Sequence, residues 1–280
     1  MAEAAASIKN HSSDSRKLSY QEILVTPEMA EEWLKDNPAN RRLAKTTVSA
    51  YMRDMLAGKW KLSGDPIRFS PDGRLIDGQH RLKACVLGKV PFKSLVIRNV
   101  PHDVMRVIDH GRSRTVADNL HIEGKQHSLI LAAAARWLYI FKHGAVVIGK
   151  GRVTATEILD MVDKHPMLQS SVMSAYGCAG LTPSLLSAVH YVAYNLLGKE
   201  EMADEFANVF VAGALYYDDD AAHCWRERLI RMRDQRSRLI QDQLHKGTIH
   251  AWNNFSERVP VKTARIPDVA AFVGLDYKLL

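Results

Sequence analysis

The rhythm of apolar and polar positions changes near residue 115, and that change divides the chain. Before it, short apolar stretches alternate with glycine and proline turns; after it, apolar residues recur at helical spacing over long runs. In the first part, Tyr20 to Val25 predicts a strand. Thr26 and Pro27 then open a helix to about Lys35, with threonine at the cap and proline at the first helical position. A turn over residues 37 to 42 leads to a helix from Thr46 to Leu56 that ends near Gly58. Pro66 to Phe69 and Arg74 to Ile76 read as a hairpin about Ser70-Pro71-Asp72-Gly73. A helix closed by Gly88, a strand from Phe92 to Arg98 and a short helix from Pro101 to Ile108 follow.

In the second part, Leu129 to Phe141 predicts a buried alanine-rich helix. Thr154 and Glu157 have the spacing of a capping box and open a helix to Lys164. Further helices are expected from Thr182 to Leu197, Glu200 to Leu215 and Ala221 to His245, with Asp218-Asp219-Asp220 as a solvated turn. The expected class is therefore α+β: a small mixed-sheet domain over residues 18 to 115, then an all-α domain over 116 to 280. Residues 1 to 17 read as a flexible tail without the apolar core of a signal peptide.

Composition adds limits. The chain has 280 residues, 46% of them hydrophobic and 25% charged, which is ordinary for a globular protein and rules out collagen-like and low-complexity classes. Cys85, Cys178 and Cys224 are odd in number and widely spaced, so neither a disulfide framework nor a zinc ribbon is expected, and a cytoplasmic setting follows. No run of apolar residues is long enough for a membrane helix. A net charge of +7 raises the expectation of a polyanionic partner, DNA or RNA among them.

Chemistry concentrates in Asp77-Gly78-Gln79-His80-Arg81, which lies where a strand passes into a helix. Helix N-termini present unpaired N–H groups and positive potential, and His80 and Arg81 add donors suited to phosphate oxygens. An anion site for a nucleotide phosphate is expected there, with Asp77 placed to hold Mg2+. The alternative is a plain turn in which Asp77 caps the helix, Gly78 supplies an unusual backbone angle and Arg81 is solvated. Downstream, Arg226 to Arg238 is rich in arginine, and Arg228, Arg231 and Arg238 would lie along one helix side, able to follow a nucleic-acid backbone or simply to form a solvated face. Trp252 and Phe255 could stack on bases or form a helix packing face.

The order of elements resembles the ParB/sulfiredoxin superfamily over residues 18 to 115. The resemblance is carried by Asn37-Pro38-Ala39-Asn40-Arg41, by Pro66-Ile67-Arg68-Phe69, and by Asp77 to Leu82 followed by an alanine-containing helix and a closing strand. ParB proteins read Gly-Glu-Arg-Arg at the comparable turn, sulfiredoxins Gly-Cys-His-Arg, and the free-serine kinases of the superfamily Asp-Gly-His-His-Arg. The resemblance implies that the turn holds nucleotide phosphates, with ATP or CTP as ligand. Gly78, Gln79, His80, Arg81, Arg41, Arg112 and Arg114 are the expected contacts, and Asp77, His80, Arg81 and Asp109 the expected catalytic set. Asp109 to Arg114 loosely matches a ParB motif that handles nucleotide and metal, and reads equally as a basic interdomain turn.

Two departures narrow the activity. Gln79 stands where sulfiredoxins carry their reactive cysteine, so sulfinic acid repair is not expected. Asn40 stands where the kinases carry a glutamate base, and Glu28, Glu31 and Glu32 read as the solvated face of their helix. A nucleotide hydrolase or phosphotransferase remains the favoured expectation. The alternatives are a non-enzymatic DNA-binding protein and a ParB-like nuclease using Asp77 and Asp109. Whether the chain forms a dimer is left open.

Overall fold

A computed structural model describes residues 17–35, 43–101, 104, 114–144 and 153–280; the expected tail, the turn over 37–42 and most of the expected helix at 101–108 lie outside them. The chain divides into two compact units, Met1–Arg112 and Ser113–Leu280, each with its own apolar core.

In the first unit, β1 (Ser19–Val25), α1 (Pro27–Lys35), α2 (Lys45–Leu56), β2 (Ile67–Phe69), β3 (Leu75–Asp77), α3 (Gln79–Gly88) and β4 (Phe92–Arg98) build a four-stranded sheet of order β1-β4-β2-β3. The outer pairs are antiparallel and the central β2–β4 pair is parallel, so the sheet is mixed. Strand β4 alternates as expected: Phe92, Ser94 and Val96 are buried while Lys93, Leu95 and Ile97 are not. Val25, Ile67, Phe69, Phe92 and Val96 pack with Ala30 of α1, Val48 and Met55 of α2, and Leu82, Ala84 and Cys85 of α3. Trp33 meets Phe69 edge-on at 5.1 Å, and the Arg98 guanidinium lies over Phe69 at 4.7 Å. Glu28, Glu31 and Glu32 are exposed while Ala30 is buried, so α1 does present them as a solvated face.

Helices α2 and α3 run side by side in the same direction. At their C-terminal ends a Cβ on Gly88 would stand 3.0 Å from Met52 Cγ and 3.9 Å from Leu56 Cγ, so the absence of a side chain there allows the close approach. At their N-terminal ends the N–H of Ala44 donates to His80 Nε2 at 3.0 Å. Parallel helices place like ends together, which concentrates positive potential at one end of the pair.

The second unit is helical: α4 (Val116–Ile122), α5 (Ser128–His143), α6 (Ala155–Lys164), α7 (Leu168–Ser174), α8 (Pro183–Tyr191, continued by a π turn over Val192–Leu196), α9 (Glu200–Ala212), α10 (Ala221–Asp234) and α11 (Gln241–Ser256), with a 3-10 turn at Tyr277–Leu279. The capping box at α6 is present, Glu157 N–H donating to Thr154 Oγ1 at 3.0 Å and Thr154 N–H to Glu157 Oε2 at 2.7 Å. Trp252 and Phe255 are both fully buried, so they form a packing face and offer nothing to a base. No helix among the described residues is long and apolar enough to cross a membrane.

Two expectations are corrected. The continuous helix from Ala221 to His245 is two helices, because the polar stretch Arg233 to Arg238 has no apolar stripe to bury. The chain instead closes α10 with Arg236 N–H donating to Arg233 O at 2.9 Å and Ser237 N–H to Met232 O at 2.8 Å, Arg236 taking a left-handed φ of 54°. Arg238 therefore lies in the connection, not on a helix side shared with Arg231. The second correction is Asp220, which is buried instead of solvated. Its Oδ1 accepts from Ala222 N at 2.8 Å and His223 N at 3.1 Å, its Oδ2 from Tyr216 N at 3.2 Å, and it caps α10.

Three buried histidines make this unit acid-sensitive. Burial holds His165, His190 and His245 below the ordinary histidine value, although the 2.9 Å contact of His190 Nε2 with Asp204 Oδ1 opposes the effect there. A depressed histidine contributes stability that is complete above the unfolded value and declines as pH falls beneath it. Denaturant midpoints of this unit are thus expected to fall between about pH 6.5 and 5, by at most about 1.4 kcal/mol per histidine per pH unit. Equal midpoints at pH 7 and pH 5 would contradict this.

Candidate anion site at the junction of two helix N-termini

Strand β3 ends at Asp77 and α3 begins at Gln79, leaving Gly78 to turn the chain in a single step. Its φ is 109°, and a Cβ there would stand 3.0 Å from Ile67 Cγ1, so both backbone angle and space require glycine. Asp77 lies opposite Arg68 in the β2–β3 ladder. Its Oδ2 accepts from Arg68 Nη1 at 2.6 Å and from Arg81 Nη2 at 3.4 Å, and its Oδ1 accepts from the N–H of Gly78 at 2.7 Å.

Arg81 faces inward. Its Nη1 donates to the carbonyl of Asp65, its Nη2 donates to Pro66 O at 2.8 Å, and only 11% of the side chain is exposed. The guanidinium thereby ties the segment before β2 to the first turn of α3. Gln79 is buried, and His80 uses Nε2 as an acceptor, so its neutral ring carries the proton on Nδ1. The motif read as a row of phosphate donors thus acts largely as the frame of the turn.

What the frame holds in place is positive. The N-caps Ala44 and Gly78 supply no side-chain cap, and neither α2 nor α3 has an acid in its first turn. Ala44, Lys45 and Thr46 are exposed, and among the described residues the N–H groups of Lys45 and Thr46 take no acceptor. Lys45 adds a full charge at the same end. Orphan N–H groups, two aligned dipoles and a lysine form a surface on which anionic oxygen is stabilised.

Magnesium fits this donor set poorly. The carboxylate of Asp77 already meets two guanidinium groups, whose net positive charge would repel a divalent ion beside Oδ2, and among the described residues no group of three or more His, Cys, Asp or Glu side chains could hold a metal. Cys85 is buried against Val25 O, and burial pushes its thiol up to about 11, so it stays protonated at neutral pH.

The remaining expected contacts fall elsewhere. Arg41, Asp109 and Arg112 lie outside the described residues, and Arg114 is an exposed residue of the second unit. Arg68 and Lys45 are additions. Arg68 was legible as the cross-strand partner of Asp77 once the hairpin was drawn, because opposite charges directly across a ladder attract. Lys45 became visible only when α2 was found beside α3. No family model, curated protein or solved structure matches this chain.

Proposed function

We propose that the first unit binds the phosphate chain of a nucleoside triphosphate, ATP or CTP, where α2 and α3 begin, and that it promotes hydrolysis or transfer of a phosphoryl group. The observation that carries this reading is the bond between Ala44 N–H and His80 Nε2, which joins two helix starts that have no side-chain cap at the N-cap residue and no acid in the first turn. The N–H groups of Lys45 and Thr46 and the Lys45 ammonium meet the phosphate oxygens. Gly78 turns the chain so that α3 aims at the same point, and the Asp77, Arg68 and Arg81 cluster keeps that turn rigid. The contribution to chemistry is preorganised positive potential, which stabilises negative charge on transferring oxygens without moving during the reaction. The ParB/sulfiredoxin resemblance of the Asp77 to Leu82 segment supports the same ligand.

Lys45→Glu separates binding from folding. An acid at a helix start stabilises the helix by about 0.3–1 kcal/mol, whereas the same charge repels phosphate. Wild-type protein is expected to melt higher with ATP, CTP or inorganic tripolyphosphate, gaining about 2.7 kcal/mol at a hundredfold excess over Kd. Lys45→Glu should melt as high as wild type alone and lose at least about tenfold in affinity, the effect of about 1.4 kcal/mol. If none of the three ligands raises the wild-type melt, or if Lys45→Glu binds them equally, the site is misplaced.

A further inference from the structure

The helical unit gathers cations that its own folding does not use. Six arginines fall between Arg226 and Arg238, and two of them are internal: Arg226 bonds to Glu227 at 2.6 Å, and Arg228 donates to Ala264 O at 2.5 Å and lies over the Trp225 ring at 5.7 Å. Stems packed along the core edge explain those two. They do not explain Arg231, Arg233, Arg236 and Arg238, all exposed on the last turn of α10 and the connection after it. Of these only Arg233 meets an acid, Asp234, at 3.4 Å with both side chains mostly in solvent.

The fold enlarges this patch with residues remote in sequence. The Arg228 bond to Ala264 and the bond from Val261 N–H to Asp219 O at 2.7 Å lay residues 261–265 against α10, bringing the exposed Lys262 and Arg265 beside it. Among the described residues, Arg231, Arg236, Arg238, Lys262 and Arg265 have no acidic partner. Attraction to a helix C-terminus accounts for cations in the last turn only, since that field fades within a turn. Five cations without an acidic partner, drawn from two chain segments, repel one another and outnumber the exposed acids nearby, Asp218, Asp219 and Asp234.

We infer that this surface binds the phosphate backbone of a nucleic acid without reading its sequence. Four of the five cations are arginines, whose planar fork takes phosphate oxygens in pairs. They are strung out, not gathered in a pocket: Arg231 lies on the last turn of α10, Arg236 and Arg238 in the connection after it, and Lys262 and Arg265 on a separate segment packed against the helix. An extended polyanion matches that spread better than a single compact anion. The inference uses residues of the second unit and stands whether or not the first unit binds a nucleotide.

Fluorescence anisotropy with a labelled 30-base-pair duplex of arbitrary sequence tests it, using the full chain at 50 to 200 mM salt. Wild type is expected to bind, with log K falling against log salt at a slope near −4 and roughly a 250-fold loss across that range. Arg231→Gln, Arg236→Gln and Arg238→Gln together change only exposed side chains and should flatten the slope by about 2.7, the share of three phosphate contacts. The same charge change at Lys17, Lys61 and Lys89 of the first unit should leave it almost unmoved. A slope lowered equally by both triple variants, an absence of duplex binding at 50 mM salt, or binding to anionic vesicles or polyglutamate in preference to the duplex would each overturn the inference.

Discussion

Arg81→Leu is expected to cost the first unit about 2–4 kcal/mol, since two backbone carbonyls lose a charged hydrogen-bond donor, and to lower its melting temperature by on the order of 15 °C. The carbonyls of Asp65 and Pro66 lose their charged donor, and the carboxylate of Asp77 keeps Arg68 but loses its second guanidinium. Pro66 is buried and the side chain that covers its carbonyl is 11% exposed, so that acceptor is poorly placed to recover water. Leucine fills part of the volume and leaves the polar groups stranded, which is the costly way to break such a cluster. Arg81→Lys should recover little, since one ammonium cannot reach acceptors arranged for a planar fork. Circular dichroism melts of the two variants are the check; a melt of Arg81→Leu within about 2 °C of wild type would show that the cluster is incidental to stability.

Gly247→Ala should destabilise the second unit by about 2–3 kcal/mol, reversing the usual gain of about 1 kcal/mol from replacing glycine within a helix. A Cβ at position 247 would stand 2.3 Å from Trp225 Cη2 and 2.5 Å from Cζ2. The indole cannot withdraw cheaply. It is almost wholly buried, its Nε1–H donates to Thr248 Oγ1 at 3.1 Å, and Arg228 lies over its face. Helix α11 and the indole of α10 can pack at this distance only where α11 lacks a side chain. Chemical denaturation decides the sign: a higher midpoint for Gly247→Ala would mean that the contact is looser than described.

Helix starts were readable at two side-chain caps, whereas the capping box of Thr115 and Asp118 that opens α4 went unread. Thr26 with Pro27, and Thr154 with Glu157, carry their own capping chemistry, and both helices begin there. The β2–β3 hairpin was readable for a similar reason, since Ser70-Pro71-Asp72-Gly73 can only turn, and Gly73 takes a φ of 88°. The break between α10 and α11 was hidden. Arginine and glutamine favour helix locally, and only the lack of anything for them to bury ends α10 at Asp234.

The site shows the same division. Residue types marked Asp77 to Arg81 as a charged turn, and it is one. They could not reveal that Arg81 serves two carbonyls 15 and 16 residues upstream, or that His80 meets Ala44 across 36 positions, because both facts belong to tertiary packing. The positive junction arises from α2 lying parallel to α3, and that in turn rests on the missing side chain of Gly88 beside Met52.

Amide chemical-shift mapping of the isotope-labelled full chain, titrated with CTP, ATP or inorganic tripolyphosphate, addresses the anion site most directly. The expected result is saturable movement of the Lys45, Thr46 and Arg81 amides, with little change in the helical unit, and no such movement in Lys45→Glu. Saturable shifts confined to the helical unit, or amides at the starts of α2 and α3 that stay fixed at millimolar ligand, would contradict a phosphate site at this junction.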